Sequence, residues 1–342
     1  MTDKVEARIE EWVRPEIREL SAYHVPNPGD MIKLDAMENP YHWPEAMVNE
    51  WFDVLKDVEL NRYPDPSAKK LTEQLRIAME VPEGAGIILG NGSDELIQMI
   101  AMTMSGKDRT ILSVEPGFVM YRMIATFAGM EYFGVPLNED FSLNETAILN
   151  DIELYNPAVI FLAYPNNPTG NLFDEDSIKR IIAAAPGVVI VDEAYHAFAG
   201  SSFMPLVNDY DNLLVMRTVS KMGLAGLRLG LLAGNLKWLH EFDKVRLPYN
   251  INILTQASAE FALKHIDVLN QQTQQICEDR ESLFNALKQI DGIHVFPSKA
   301  NFILVRVAEG QADAIFDRLK EQHVLIKNLD PAGGLLKDCF SH

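Results

Sequence analysis

Short apolar runs alternate with amphipathic stretches through the middle of the chain. The runs are rich in Val, Ile and Leu and show no alternation with polar residues, which is typical of strands covered on both faces. The predicted strands are residues 87–89, 110–114, 131–134, 159–162, 188–191, 213–217 and 229–233. Helical spacing separates them, as in the stretch that follows the predicted cap Ser93. This alternation predicts an α/β fold with a mostly parallel sheet wrapped by helices.

The pattern changes at both ends of this region. Residues 5–20 have the spacing of an amphipathic helix, which we expect to dock on the protein's own body or on a subunit. After Tyr249 the sequence predicts long helices at 251–290, and then a smaller α+β unit with strands at 295–296, 302–307 and 324–326 and a helix near 311–322. We therefore expect an N-terminal arm (1–30), a large domain (31–250) and a small domain (251–342).

Composition narrows the function classes. The 342 residues include 30 Lys and Arg against 49 Asp and Glu, a net charge of −19, which disfavours general binding to nucleic acid or anionic membranes. Cys277 and Cys339 are too few for a disulfide framework, and the eight histidines form no cluster with metal-ligand spacing. The acidic N-terminus lacks a signal-peptide core, and the apolar runs are too short to span a bilayer. A cytoplasmic protein without a metal site is expected.

Candidate chemistry follows the predicted strands. Parallel α/β sheets bind ligands outside the carboxyl ends of their strands, so the residues just after each strand are the place to look. The sequence GNGSDE at 90–95 opens a helix and suits a phosphate, although for this segment taken alone a turn with an N-cap is the more common explanation. Asn167 lies in a rigid turn with two prolines, and Asp192 and Tyr195 follow another strand, where Asp192 is either a site carboxylate or a helix cap.

A lysine and an arginine follow the strand at 213–217. Lys221 lies among small and apolar residues, a setting that lowers the pKa of an amine and favours a nucleophile. Arg228 can hold an anion with its guanidinium fork. A lysine is ordinarily a solvated surface residue, but the hydroxyls and glycines around Lys221 make that interpretation less favourable.

The candidate residues occur in one order along the chain, with defined spacings. Asn167, Asp192, Tyr195, Lys221 and Arg228 are separated by 25, 3, 26 and 7 residues, and this set resembles the fold-type I pyridoxal-phosphate aminotransferases. Further motifs are similar to those of the histidinol-phosphate aminotransferases, and they lie at 39–41 (NPY), 62–64 (RYP), 92–96 (GSDEL), 166–170 (NNPTG), 192–195 (DEAY), 224–228 (LAGLR) and 297–302 (PSKANF). The resemblance extends from about Leu20 onward.

The resemblance implies a fold-type I architecture, pyridoxal 5′-phosphate as cofactor and a set of residue roles. Lys221 would hold the cofactor covalently and move the substrate's Cα proton, and Asp192 would pair with the pyridine nitrogen. Asn167 and Tyr195 would donate to the phenolic oxygen of the ring, and Phe118 would stack on it. Lys221, Asp192 and Tyr195 are thus the predicted catalytic residues.

The cofactor phosphate would be surrounded by residues from several segments. On the same chain these are Gly92, Ser93, Asp94, Thr218, Ser220 and Arg228. Tyr63 would reach the phosphate from the other subunit, which implies a homodimer with shared active sites.

The resemblance also implies substrate-binding residues near both ends of the chain. Tyr23 and Asn39 match N-terminal positions that close over the substrate, and Lys327 stands where relatives often carry Arg. Ser341 stands where the family has an Arg that grips the substrate, so a small domain truncated at its C-terminus is expected.

The favoured hypothesis is transamination between L-glutamate and imidazole acetol phosphate, giving L-histidinol phosphate and 2-oxoglutarate in histidine biosynthesis. Alternatives on the same fold are an aromatic amino-acid aminotransferase and a phosphothreonine decarboxylase. A third alternative is a cofactor-binding protein left inactive by the missing Arg. A nicotinamide-dependent oxidoreductase is disfavoured, because Glu95 occupies the last position of the glycine fingerprint and Lys221 would have no role.

Overall fold

A computed structural model describes residues 3–22 and 25–342. Its strands are β1 (Ile32–Lys33), β2 (Gly86–Gly90), β3 (Thr110–Glu115), β4 (Glu131–Pro136), β5 (Val159–Ala163), β6 (Val188–Asp192), β7 (Leu213–Thr218), β8 (Gly230–Gly234), β9 (His294–Val295), β10 (Leu304–Arg306), β11 (Val324–Leu325), β12 (Lys327–Asn328) and β13 (Cys339–Ser341). Its α-helices are α1 (Lys4–Trp12), α2 (Pro15–Arg18), α3 (Glu45–Lys56), α4 (Lys69–Ala78), α5 (Ser93–Met104), α6 (Val119–Ala128), α7 (Glu145–Tyr155), α8 (Glu175–Ala184), α9 (His196–Ala199), α10 (Leu236–Asp243), α11 (Ile253–Lys264), α12 (Ile266–Leu287) and α13 (Ala312–Glu321).

A seven-stranded sheet with the order β2-β8-β7-β6-β5-β3-β4 forms the centre of the fold. β8 is antiparallel to both of its neighbours, and the other pairings are parallel. All five residues of β5 are buried because consecutive residues point into different cores: Ile160 faces one apolar cluster and Phe161 the cluster on the opposite face. The continuous apolar runs of the sequence have this origin, and the predicted α/β fold with a mostly parallel sheet is confirmed.

A smaller antiparallel sheet, ordered β12-β13-β10-β9, lies toward the C-terminal end of the chain. It has its own apolar cluster, to which α13 and the end of α12 contribute. The N-terminal segment reaches this region, since β1 pairs in parallel with β11. The helix α11 packs against α3 and α4. The elements predicted for these residues therefore correspond to observed ones, with boundaries that differ by up to three residues, whereas β12 and β13 were not predicted.

The N-terminal helix differs from the prediction. Residues 5–20 do not form one helix but α1 and α2, because Pro15 lacks an N–H donor and holds Arg14 in an extended conformation (φ −53°, ψ 136°). The apolar side chains of α1 do not dock on the described part of the chain, since Trp12 is 77% exposed and Val5 60%. Docking on a subunit stays a prediction.

No helix within residues 3–22 and 25–342 is both long enough and apolar enough to cross a membrane.

A buried ion pair ties the carboxyl end of β6 to β7. Arg217 Nη2 lies 2.8 Å from Glu193 Oε2, and the two side chains are 5% and 0% exposed. Arg217 also donates to the Met79 carbonyl and to Ser202 Oγ. Burial raises the pKa of Glu193, and the Arg217 guanidinium opposes this shift. The pair is stable only as a unit, because either charge alone would be buried without a partner.

We expect Arg217→Met to lower the free energy of unfolding by about 3–5 kcal/mol, since it leaves the Glu193 carboxylate buried and uncompensated. Urea denaturation of the purified protein measures this loss. The control is Lys56→Met, which breaks an ion pair with Asp53. Both of these side chains are 73% exposed, so we expect a much smaller loss than in Arg217→Met. Equal losses in the two variants would contradict the prediction.

Candidate active site

The carboxyl ends of three adjacent strands bring the predicted residues together. β5, β6 and β7 are parallel neighbours in the sheet, so their ends lie side by side at one edge. Asn167 follows β5, Asp192 ends β6, and Lys221 follows β7 in a 3₁₀ turn. The strand-end rule applied to the sequence thus located one site rather than three separate features.

Asp192 is a buried carboxylate with two protein donors. Its side chain is 4% exposed, Oδ2 accepts from the Tyr121 hydroxyl at 2.7 Å, and Oδ1 accepts from the Ala194 N–H at 3.0 Å. Burial raises its pKa to about 6, and the two hydrogen bonds oppose that shift. The bond to Ala194 is the local cap expected of an aspartate at a strand end, but it occupies only one of the two oxygens.

Tyr195 and Asn167 form a pair beside this carboxylate. Asn167 Nδ2 donates to the Tyr195 hydroxyl at 2.9 Å. Tyr195 is buried, its ring packs edge-on against Phe302 from the C-terminal region with centroids 5.1 Å apart, and burial raises its pKa. A phenol and an amide on neighbouring strand ends can donate together to one ligand oxygen.

Lys221 presents its amine to the same cleft. Its Nζ lies 5.7 Å from the centroid of the Tyr195 ring and donates to the Ala36 carbonyl at 3.0 Å. Burial lowers its pKa to about 8, the positive charge of Arg228 acts in the same direction, and the Glu38 carboxylate opposes it. Near neutral pH a useful fraction of this amine is therefore unprotonated and nucleophilic.

An anion cradle is built where α5 begins. Gly92, with φ +86°, is the N-cap of α5 and Ser93 is its first residue, so the helix begins one residue earlier than the cap predicted at Ser93. A Cβ at Gly92 would lie 2.5 Å from Arg228 Nη2, so only glycine lets the guanidinium approach the backbone this closely. Arg228 Nη2 also lies 3.2 Å from Asp94 Oδ2. Helix-terminal N–H groups beside an arginine favour a bound anion.

Two hydroxyls lie at the end of β7 and in the turn that follows it, next to this cradle. Thr218 Oγ1 and Ser220 Oγ are 2.9 Å apart and both residues are buried. The start of β8 packs closely on the cradle, since a Cβ at Gly230 would lie 2.8 Å from the Ser93 nitrogen. The predicted phosphate residues thus come from α5, the end of β7 and the loop before β8.

Phe118 and Asn39, two further predicted site residues, do not lie at the strand ends. Phe118 is the N-cap residue of α6, and its ring lies edge-on to Tyr121 with centroids 5.4 Å apart. Asn39 donates to Gln272 Oε1 at 3.0 Å, and its amide lies where a Cβ on Gly223 would be. These two side chains approach the site from α6 and from the N-terminal segment.

Three predicted residues are not tied to the site by contacts within the described chain. Lys327 on β12 pairs with Ser341 on β13, so the two side chains share one face of the small sheet. Tyr63 is 79% exposed and stacks on Tyr249 with centroids 4.5 Å apart. Tyr23 lies outside the described residues. The roles of all three stay predictions.

Sequence reasoning missed the contacts that support the site. Tyr121 was not selected, although its place three residues after Phe118 on a helix puts the two on one face. Glu38 and the Ala36 carbonyl were missed because nothing in their local pattern points to Lys221. Asn301 belongs to the motif at 297–302, but the motif does not predict that its Nδ2 donates to the Met37 carbonyl at 2.8 Å.

The arrangement suits a planar phosphorylated ring with a basic nitrogen and a carbonyl group. It offers an anion cradle, a buried carboxylate, a phenol–amide pair and a lysine with a lowered pKa in one cleft. This donor set fits pyridoxal phosphate. Among the residues that the structure describes, no three His, Cys, Asp or Glu side chains are grouped so that they could hold a metal ion.

Comparison with known proteins agrees with this chemistry. Residues 29–333 match the family model for aminotransferase class I and II. The chain is 57% identical over 333 residues to histidinol-phosphate aminotransferase 2 of Nitrosococcus oceani, covering 97% of this chain and 92% of that protein. It is 49% identical over 333 residues to histidinol-phosphate aminotransferase 1 of Ralstonia nicotianae, covering 96% and 88% of the two chains.

Solved structures share the fold at lower identity. The histidinol-phosphate aminotransferase of Sinorhizobium meliloti, solved in complex with pyridoxal 5′-phosphate, superposes with a TM-score of 0.83 at 23% identity and covers 96% of this chain and 91% of that chain. The L-threonine-O-3-phosphate decarboxylase of Porphyromonas gingivalis superposes with a TM-score of 0.74 at 23% identity, covering 90% and 92%. At this identity the likeness shows the fold alone.

Proposed function

Because this chain belongs to aminotransferase class I and II, and within it to the histidinol-phosphate aminotransferases, we propose that it transfers the amino group of L-glutamate to imidazole acetol phosphate. The products are L-histidinol phosphate and 2-oxoglutarate, and the reaction belongs to histidine biosynthesis. The observation that carries this proposal is the 57% identity to a histidinol-phosphate aminotransferase over 97% of the chain.

Pyridoxal phosphate is the cofactor in this proposal. When bound, it supplies an electron-withdrawing ring that makes the substrate's Cα proton acidic. Arg228, the N-terminus of α5 and the hydroxyls of Thr218 and Ser220 hold the phosphate. Asp192 accepts a hydrogen bond from the ring nitrogen and stabilises its positive charge.

The other residues of the cleft orient the ring and move the proton. Asn167 and Tyr195 donate to the phenolic oxygen, and Phe118 covers one face of the ring. The amine of Lys221 would hold the cofactor through its carbonyl carbon, and the same amine would serve as the base that moves the substrate's Cα proton. An amine with a pKa near 8 suits both tasks, because it changes protonation state near neutral pH.

Substrate contacts come from the two ends of the chain in this proposal. Lys327 attracts the negative charge of the substrate, although an ammonium lacks the two-pronged geometry of an arginine. Asn39 and Tyr23 close over the substrate. The three-part division into an arm (1–30), a large domain (31–250) and a small domain (251–342) is proposed on the same basis, and it is supported by the separation of the central sheet from the small sheet.

We also propose that the enzyme is a cytoplasmic homodimer in which Tyr63 reaches the cofactor phosphate of the partner. Exposed apolar side chains support a subunit interface, since Tyr63 and Leu247 are 79% and 70% exposed. Sedimentation velocity of the purified protein tests the oligomeric state. A species with the mass of two chains is expected, and a monomer at working concentration would contradict the proposal.

The absorbance of the protein loaded with pyridoxal phosphate tests the reaction. Adding L-histidinol phosphate or L-glutamate should convert the bound aldehyde form of the cofactor to the amine form, with loss of the visible band. L-tyrosine, L-phenylalanine and O-phospho-L-threonine are the comparison substrates. A faster response to an aromatic amino acid, or release of carbon dioxide from phosphothreonine, would replace the proposed substrate; no response to L-histidinol phosphate would refute it.

A further inference from the structure

A buried tyrosine makes a direct contact with the carboxylate of the cleft. The Tyr121 hydroxyl donates to Asp192 Oδ2 at 2.7 Å, and the two side chains are 1% and 4% exposed. Tyr121 lies on α6 and Asp192 ends β6, so the bond joins parts of the chain 71 residues apart. A short hydrogen bond to a buried carboxylate is among the stronger interactions available to a neutral donor.

The position of the Tyr121 ring is fixed by its neighbours. It stacks on Phe161 of β5 with centroids 4.7 Å apart and an interplanar angle of 9°. Phe118, one helical turn earlier, lies edge-on to it at 84°. Tyr121 therefore spans from the aromatic residue predicted to cover the cofactor ring to the carboxylate predicted to bind its nitrogen.

The charges around Asp192 explain why a donor is needed there. Burial favours the neutral acid, and the carboxylates of Asp94 on α5 and of the adjacent Glu193 act in the same direction. Tyr195 also lies close enough for the charge of Asp192 to raise its pKa. The donors that favour the ionised form are the Ala194 N–H and the Tyr121 hydroxyl. Tyr121 is the one of these two that a side-chain substitution can remove.

We propose that Tyr121 is a positioning residue that keeps Asp192 ionised, aims it at the ring nitrogen of the cofactor and sets its position relative to Phe118. The inference rests on the proposed function, since it assumes that Asp192 faces a pyridine nitrogen. Tyr121 itself touches neither substrate nor cofactor in this role. Tyr121 acts on the cofactor only by way of Asp192. An experiment can therefore distinguish this role from a general contribution of Tyr121 to packing.

Tyr121→Phe is the test, because it keeps the stacked ring and removes only the hydroxyl. In the loaded variant we expect pyridoxal phosphate to bind about tenfold more weakly. We also expect the pH midpoint of its visible absorbance change to rise by about one unit. The physical reason is that a ring nitrogen with a weaker partner carries less positive charge, so the linkage at Lys221 holds its own proton more tightly. The turnover number should fall about tenfold with little change in KM.

Two comparisons separate this role from a structural one. Tyr155→Phe is the matched control, because it also removes one phenol hydroxyl from a tyrosine stacked on a phenylalanine, at the far end of α7, and should leave the titration unchanged. In an Asp192→Asn background, Tyr121→Phe should produce no further shift of the midpoint, since the group through which it acts is gone. Thermal unfolding of each variant verifies that the fold is intact.

The outcomes distinguish the inference from the function it assumes. If the wild-type protein binds pyridoxal phosphate at Lys221 and Tyr121→Phe titrates like wild type, the positioning role is wrong and the proposed function stands. Equal shifts in the wild-type and Asp192→Asn backgrounds would also overturn it, because the effect would not pass through Asp192. A wild-type protein that binds no pyridoxal phosphate would refute the proposed function itself.

Discussion

Lys221→Ala is expected to abolish transamination, with turnover reduced by a factor on the order of 10⁴ to 10⁶. The change removes both the amine that attaches the cofactor and the base that moves the Cα proton. No nearby group replaces it, since Tyr195 is buried with a raised pKa and the carboxylate of Asp192 is occupied by its own donors. The loss should therefore appear in the turnover number and not only in KM.

Borohydride reduction followed by peptide mapping supplies the direct readout. In the wild-type protein a pyridoxyl group should be found on the peptide that contains Lys221, and in the variant no lysine should carry it. Lys237→Ala is the matched control, because it removes an exposed lysine from α10 and should leave both labelling and turnover unchanged. Turnover within tenfold of wild type in Lys221→Ala would contradict the assignment.

Asp192→Asn is expected to reduce turnover by a factor on the order of 10³ or more, because the amide cannot balance a positive charge on the ring nitrogen. The geometry of the site should survive. The amide oxygen can accept from the Ala194 N–H, and the amide nitrogen can donate to the Tyr121 hydroxyl. Loss of activity would then reflect the charge rather than misfolding.

The same variant should change the pH dependence of stability in the cofactor-free protein. Burial raises the pKa of Asp192 from 3.8 to about 6, so the folded state binds this proton more tightly than the unfolded chain does. Its contribution to stability is therefore largest at low pH and is lost as the pH rises through 6. Asp192→Asn has no carboxyl group at this position and therefore does not lose stability in this way as the pH rises. Relative to wild type, its free energy of unfolding should increase by about 2 kcal/mol between pH 4 and pH 7.

Urea denaturation of both proteins across this pH range measures the effect. The control must lie outside the cleft, which excludes buried residues such as Asn166 that form hydrogen bonds there. The control is Asp53→Asn, which makes the same change on a side chain that is 73% exposed and lies outside the cleft. A gap between Asp192→Asn and wild type that stays constant with pH would mean that Asp192 is not a strained buried acid.

The sequence was informative about this fold where one local rule decides the structure. The strands of the central sheet were located because a strand buried on both faces is apolar along its length, as β5 is throughout and β6 is up to its last residue, Asp192. The meeting of Asp192 and Lys221 followed from the geometry of parallel strand ends. The order of the cofactor residues then identified the family, and the comparisons confirm it.

The features that escaped prediction depend on contacts between distant segments. The hydrogen bond from Tyr121 to Asp192 depends on how α6 packs against the central sheet, and no local sequence pattern encodes that packing. The Arg217–Glu193 pair joins β7 to the end of β6 through side chains that would ordinarily be assigned to the surface. The break before Pro15 is different, because the proline is itself a local signal in the sequence and it overrides the helical spacing of the residues on either side of it.

The N-terminal segment has a consequence for dividing this chain into fragments. β1 pairs with β11, Asn301 donates to the Met37 carbonyl, and Lys221 donates to the Ala36 carbonyl. A few consecutive residues are therefore held both by the C-terminal part of the chain and by the cleft of the central sheet. A fragment that ends before Asn301 would lack both of the C-terminal anchors of this segment and would leave β1 without its pairing strand. The position of the carbonyl that accepts from Lys221 thus depends on residues far along the chain from the lysine itself.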